Sequence, residues 1–437
     1  MTDIASTIGE PLLAPIPSLP IAKRHLLSAV VGNALEFYDF VTYTYFAGQI
    51  GQCFFPSHTP IGSLLLSLAT FGVGFATRPI GGIVIGAYAD RVGRSPAMVL
   101  SFVLMGIGIL ILTLTPPYAA IGVAAPILVV FARLLQGFAL GGQVGPSTAF
   151  LLETASPKSR GFYTTLQYAS QGLASMVAGI VAVIISSNLD ASSLQQWGWR
   201  LTMILGALVL PFGLVIRKTM PETLEQADSR AASETLPAPK STGHIRVFVL
   251  GLVMLASATI GSYIINYMAI YASAFLHMRA NVSFAAPVVS GACILLFSLL
   301  GGWMSDKYGR KTVMIWPRVF LLFAIYPAFV LLAHNRDALT LLGVTAAIAI
   351  LASWSSAASL VNIAESMPRD MRSGALGTVY AVAIAVFGGT TQYVVTWLIG
   401  ATGHVLAPAW YLTGATFIGL IAMMMSQETA PVKLEKI

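Results

Sequence analysis

Twelve apolar stretches, each about long enough to cross a bilayer, follow one another along this chain. They lie at roughly 26–52, 61–88, 97–115, 120–152, 161–187, 199–217, 245–276, 284–305, 312–333, 338–364, 373–402 and 408–426. A spanning helix needs about 20 apolar residues. Of the 437 residues only 9% are charged, and the mean hydropathy is +0.80. Soluble domains carry roughly 25% charged residues, so lipid must serve as solvent for much of this surface. No small-residue cleavage site closes a short apolar segment near the start, which argues against a signal peptide. The expectation is an all-α integral membrane protein with twelve transmembrane helices in two six-helix, pseudo-symmetric halves.

Composition marks the divisions. Residues 1–22 read as a proline-rich tail, 23–217 as a first six-helix bundle, 218–243 as a polar linker, 244–427 as a second bundle and 428–437 as a closing tail. Lysine and arginine set the expected orientation. With both ends inside, inner loops, helix ends and tails hold 19 of them, Arg318 among these; outer loops hold only Arg200, Arg279 and Arg336. That asymmetry predicts cytoplasmic termini. Arg78 and Arg133 fall within spans. The net charge of +7 follows from the same loops and calls for no nucleic acid. Cys53 and Cys293 stand too far apart in sequence for a CxxC metal site or a disulfide framework.

The two halves repeat. Gly86-x-x-x-Asp90-Arg91-x-Gly93-Arg94 follows the second span, and Gly302-x-x-x-Asp306-Lys307-x-Gly309-Arg310 follows the eighth, 216 residues later. Glu153 and Arg160 bracket the end of the fourth span; Glu365 and Arg372 bracket the end of the tenth, 212 residues later. Parallel six-helix repeats place a substrate site between the halves, near the midplane.

The doubled loop resembles the signature of the major facilitator superfamily. Narrower features are similar to its metabolite–proton symporters: Gly32-Asn33-x-x-Glu36-x-x-Asp39, Arg78-Pro79-x-Gly81, Arg133-x-x-Gln136-Gly137-Phe138 and Trp197-Gly198-Trp199-Arg200. Gly161-Phe162-Tyr163-Thr164 with Gln167, Ser170 and Gln171 looks like the citrate–proton symporter branch. The resemblance covers essentially the whole chain. It implies proton-coupled uptake of a small carboxylate across a bacterial inner membrane. Two positions depart from the pattern. Gln143 stands where the family usually has Glu, which removes one candidate proton carrier, and Ala269-Ile270-Tyr271 lacks the proline of the citrate branch.

Glu36 and Asp39 sit three apart and share a helix face. Glu36 is roughly 15 Å deep at 1.5 Å per residue, where an acid facing lipid costs about 3 kcal/mol. The pair should look into the bundle, either as proton-coupling groups or as a fixed ion pair. Arg133 lies equally deep, with Gln136, Leu140, Gln143 and Ser147 on roughly its face. Its planar fork suits a carboxylate, or else it is permanently paired with Asp39 or Glu36. Arg78, nearer the inner side, either reaches substrate or pins helices. Tyr43, Gln167, Gln171, Asn266 and Tyr267 are further candidate substrate ligands, with interhelical glue as the plainer alternative; Tyr263 and the stripe Ser355, Ser359 and Asn362 are weaker. Asp90, Arg94, Glu153, Arg160, Asp306, Arg310, Glu365 and Arg372, at inner helix ends, are candidate gate residues, or simple topology anchors.

These features point to a monomeric secondary transporter with no cofactor and no bound metal, driven by protons and taking up a di- or tricarboxylate such as citrate. Osmolyte symporters share most of the motifs, so a zwitterionic substrate is the second transport reading. A substrate sensor without transport is a third. Drug–proton antiport fits less well, because residues 161–187 hold no proline. An enzyme would need clustered His, Cys or acids near one face, and the six histidines show no metal spacing.

Overall fold

The computed structural model describes residues 23–141, 151, 155–156, 158–212, 242–367 and 372–434. In it the apolar stretches become helices α1 (Lys23–Tyr45), α2 (Pro60–Ala76 continued by Arg78–Val92), α3 (Arg94–Leu114), α4 (Ala124–Leu140), α5 (Arg160–Asn188) and α6 (Trp199–Gly206). The second half repeats them as α7 (Thr242–Ile270), α8 (Ala280–Tyr308), α9 (Arg310–His334), α10 (Ala338–Ser366), α11 (Arg372–Ala383 and Gly389–Thr402, joined by a π turn) and α12 (Ala407–Met425). Nine described stretches are long and apolar enough to cross a bilayer, and α4 is a shorter apolar one. The architecture is thus all-helical, with twelve spans in two six-helix halves.

Boundaries differ from expectation where the chain bends. The first stretch breaks after Tyr45, and Ala47–Phe54 forms its own short helix. Residues 118–121 make a separate turn before α4, so that span starts at Ala124 rather than near 120. Trp197 and Gly198 belong to a π turn that leads into α6.

Local chemistry sets the helix ends. Thr59 caps α2 by accepting from Gly62 N, with Pro60 at the first helical position, where its missing N–H costs nothing. Asp337 caps α10 through Thr340 N at 3.0 Å. Hydrogen bonds from the Thr340 hydroxyl and backbone hold the Asp337 carboxyl below the usual carboxylate range. The repeated loop motif needs its glycines: Gly93 and Gly309 have φ of 118° and 101°, a region that L side chains avoid.

The halves meet along α5–α8, α2–α11 and α1–α7. Small residues let these backbones approach. A Cβ on Gly172 would meet the α8 backbone at Gly291 and Leu295, and one on Gly72 would meet Gly389 O. Close backbone packing of this kind drives helix association in lipid, where the hydrophobic effect is absent. Outward-facing positions are apolar: Leu339 is 83% exposed, Ile83 74% and Phe323 73%, as a lipid-facing surface requires.

Candidate functional site

We call the face where α1 begins and α12 ends proximal, and the opposite face distal. Between the halves, on the proximal side of the midplane, lies a cavity of about 80 Å³. The first half contributes Glu36 from α1, Arg78 from α2, and Gln167 and Gln171 from α5. The second half contributes Ser262 and Tyr263 from α7, Ser356 from α10 and Tyr380 from α11. Hydroxyl and amide bonds cross the gap: Tyr168 Oη and Ser262 Oγ lie 2.7 Å apart, and Gln171 Nε2 donates to Tyr380 Oη at 3.5 Å. Asn33, another lining residue, donates to Ser170 Oγ at 2.6 Å and to Gln167 O at 3.1 Å, which joins α1 to α5.

Arg78 gives the cavity its positive charge. Its guanidinium lies over the Phe75 ring at 4.3 Å and the Phe40 ring at 5.4 Å, so the rings hold its orientation by cation–π contact, and its Nε has no hydrogen-bond partner among the described residues. Glu36, on the same wall, interacts with it electrostatically.

Aromatic rings close the distal side. Phe40, Phe71 and Phe75 of the first half pack with Tyr263 of the second, at centroid distances of 5.8 Å for Phe40–Tyr263 and 6.0 Å for Phe75–Tyr263. Farther out, Tyr45 meets Ser175 at 2.5 Å and Asn266 at 3.5 Å, and Phe46 meets Phe284 at 4.8 Å. The distal half of the interface is therefore sealed between α1, α5, α7 and α8.

Arg133 does not line this cavity. It is 3% exposed, and its Nη1 donates to Gln136 Oε1 at 2.6 Å and to Asp39 Oδ2 at 3.5 Å. Its guanidinium stacks on the Tyr43 ring at 3.6 Å. Asp39, Gln136 and Tyr43 are thus drawn into one buried niche within the first half, away from the cavity. Of the two readings of Arg133, carboxylate ligand or partner of an acid in α1, this structure shows it in the second arrangement, with its charge facing Asp39. Asn266 and Tyr267 are also off the cavity wall. Asn266 accepts from Tyr45, and Tyr267 Oη lies 2.7 Å from Thr396 Oγ1.

A charge cluster occupies the proximal face. Arg310, fully buried, binds Glu365 through Nε and Nη2, both at 3.1 Å, and Asp306 through Nη1 at 2.7 Å. Asp306 also accepts from Gly161 N at 2.8 Å and Phe162 N at 3.0 Å. A carboxylate of the second half thereby caps the start of α5 in the first, where N–H groups are unpaired and the helix dipole is positive. Gly161 leaves room for it, since a Cβ there would meet Gly302 O, Arg310 Nη1 and Asp306 Oδ1. Glu365 pairs with Arg310 in this structure. Glu428 was not anticipated: it accepts from Arg310 N at 2.8 Å and Lys311 N at 3.0 Å. Thr429 Oγ1 donates to Glu365 at 2.7 Å. The sequence does carry a signal for this strap, because the Glu428-Thr429 pair repeats Glu222-Thr223 from the end of the first half.

Arg160 starts α5. Gln143 and Glu153 lie outside the described residues, as do the side chains of Asp90, Arg94 and Arg372. One inner-end assignment needs correction. Arg318 lies eight residues into α9 and is fully buried, so it belongs to the interior of the second half and not to a basic helix end.

Comparison with known proteins agrees with this architecture. The sequence pattern described as Major Facilitator Superfamily matches residues 29–300. The chain is 33% identical to the citrate–proton symporter of Klebsiella pneumoniae over 433 residues, 97% of this chain and 96% of that protein. It is 31% identical to the alpha-ketoglutarate permease of Escherichia coli (strain K12), with 92% of each covered. The xylose transporter XylE from E. coli, in a partially occluded inward-open conformation, superposes with a TM-score of 0.70 at 16% identity, over 92% of this chain and 95% of that one. With helix order, doubled loop motif and full-length similarity in agreement, the chain belongs to the Major Facilitator Superfamily, whose members are transporters and not enzymes.

Proposed function

We propose that this protein is a proton-driven symporter that takes up a small di- or tricarboxylate such as citrate, working as a monomer in a bacterial inner membrane with its proximal face toward the cytoplasm. The observation that carries this reading is Arg78 and Glu36 on one cavity wall, between halves that can rock. A carboxylate entering the cavity competes with Glu36 for the Arg78 guanidinium. Protonation of Glu36 removes the competitor, so proton and anion bind together. Linkage makes this reciprocal: bound anion raises the affinity for the proton by the same factor. A carrier that crosses only empty or doubly loaded then moves both in one direction. The buried Asp39–Arg133 couple transmits the state of α1 to α4 and is the second place where a proton can be held.

The proximal clusters supply the gate. Asp306 ties α8 to α5, and Arg310–Glu365 ties α9 to α10, so two bundles are held at one face while the aromatic seal holds the other. The orientation rests on the excess of Lys and Arg at that face. Similarity to symporters of citrate supports the substrate class.

The test is uptake into proteoliposomes of labelled citrate, 2-oxoglutarate, glycine betaine and proline, with and without an acid-outside gradient. Accumulation of a carboxylate that collapses with the gradient is expected. Gradient-driven accumulation of the zwitterions alone would overturn the substrate class, and binding with no flux of any solute would favour a sensor. Glu36→Gln should abolish uphill uptake but spare counterflow exchange.

A further inference from the structure

Arg318 has no role in the scheme above, and its surroundings call for one. The side chain is fully buried. Its one hydrogen bond among the described residues is from Nη2 to Ser257 Oγ, at 3.3 Å. Nε and Nη1 have no partner. The ion pairs among the described residues are Arg133–Asp39, Arg310–Asp306 and Arg310–Glu365, so no described carboxylate neutralises Arg318. Arg133, another deep arginine with unpartnered nitrogens, at least faces an acid.

Position connects this charge to the cavity. Ser257 lies on α7, the helix whose Thr259, Ser262 and Tyr263 line the cavity. Arg318 interacts electrostatically with the Tyr168 phenol, and Tyr168 is itself a lining residue bonded to Ser262. One turn before Arg318, Met314 O accepts from Ser355 of α10, next to the lining residue Ser356. Arg318 therefore sits one layer behind the second half's cavity wall, shielded from water. In such a place an uncompensated cation is costly, and its field is screened far less than a surface charge would be.

We propose that Arg318 sets the number of negative charges the substrate must carry: its field, reaching the cavity through the α7 wall and the Tyr168–Ser262 hydroxyls, is satisfied by a second carboxylate of a ligand whose first carboxylate is held by Arg78. The proposal rests on the transport reading and deepens it. Arg78 and Arg318 belong to opposite halves, so an anion with two separated carboxylates is attracted to both, whereas a monoanion leaves the Arg318 field unmet. The group acts by charge and not by contact. Its geometry is therefore secondary, unlike that of Arg78.

The experiment is calorimetry on the purified full chain with citrate and with citrate bearing two methyl esters, a frame nearly unchanged but left with a single carboxylate for Arg78. The wild type should prefer citrate by about tenfold or more, the scale of one charge interaction in a partly screened interior. Arg318→Gln should remove most of that preference by weakening citrate binding while leaving the ester's affinity within about threefold. Arg318→Lys, which keeps the charge, should restore the preference, an outcome that a purely structural role would not produce. Equal weakening of both ligands in the Gln variant, or an unchanged preference, overturns the proposal. If Arg318→Gln does not fold, the Lys variant decides alone: loss of the preference there overturns it. Wild-type protein that binds neither compound sinks the carboxylate reading itself and this proposal with it; wild-type binding with no charge preference sinks this proposal alone.

Discussion

Arg78, Arg133 and Arg318 meet the cost of burial in three ways: on aromatic rings facing a cavity, against an aspartate, and beside a single serine. Different outcomes of substitution follow. Removing the Arg133 charge leaves Asp39, which is 0% exposed, with no cation. Breaking a buried pair from one side costs about 3–5 kcal/mol, so Arg133→Gln should lower the thermal unfolding midpoint by several degrees, and Arg133→Gln with Asp39→Asn should recover part of it. Arg78→Lys should leave the midpoint nearly unchanged. It should cost at least tenfold in carboxylate affinity by calorimetry, because a point charge replaces a two-pronged donor. The sequence shows that both arginines are deep, since depth follows from counting residues along a helix. It does not show which way each points around the helix axis. That angle depends on how α2 and α4 cross, and it decides that Arg78 rather than Arg133 meets the cavity.

At the level of the element, the crossing of α2 and α11 controls the roof of the cavity. Gly72 and Gly389 bring the backbones together there, and a Cβ on Gly72 would sit 2.5 Å from Gly389 O. Nothing flexible can yield, because the obstacle is backbone. Gly72→Val should therefore push the halves apart on the distal side and shift the population toward the state open at that face. Spin-label distances between distal loops would report this as a longer, more populated distance. An unchanged distribution would mean that this crossing does not limit closure. The helices themselves are legible from hydropathy, and most ends fall within a few residues of expectation. The interruptions are less so: the break after Tyr45 and the π turns at Tyr271–Phe275 and Ile384–Gly388 leave the apolar pattern intact, because lipid and protein neighbours are equally apolar.

Across the whole molecule, one carboxylate does much of the joining. Asp306 holds Arg310 of its own half and the first N–H groups of α5 in the other. Charge-assisted hydrogen bonds are worth about 1.5–3 kcal/mol each. Asp306→Asn should therefore raise the labelling rate of a cysteine placed on the proximal side of the cavity by about tenfold, with equilibrium substrate affinity within about threefold of wild type. A large loss of affinity with unchanged labelling would contradict this. The doubled motif made the location of this cluster readable in advance; the participation of Glu428 was not anticipated, because the repeat of Glu222-Thr223 at Glu428-Thr429 is a two-residue match with no longer motif around it. The halves are not perfect copies, and the π turn in α11 is one place where they part. An extra residue is what turns an α turn into a π turn, and α5, the counterpart of α11, runs unbroken over Arg160–Asn188. Beyond it, Gln392 and Thr396 are rotated toward α7, where they bond Tyr263 O and Tyr267. If the two halves descend from one duplicated unit, then from Arg160 and Arg372 onward the copies align without a gap only as far as residues 384–388. Deleting one residue there would restore the ancestral register and turn those two side chains away from α7 by about 100°.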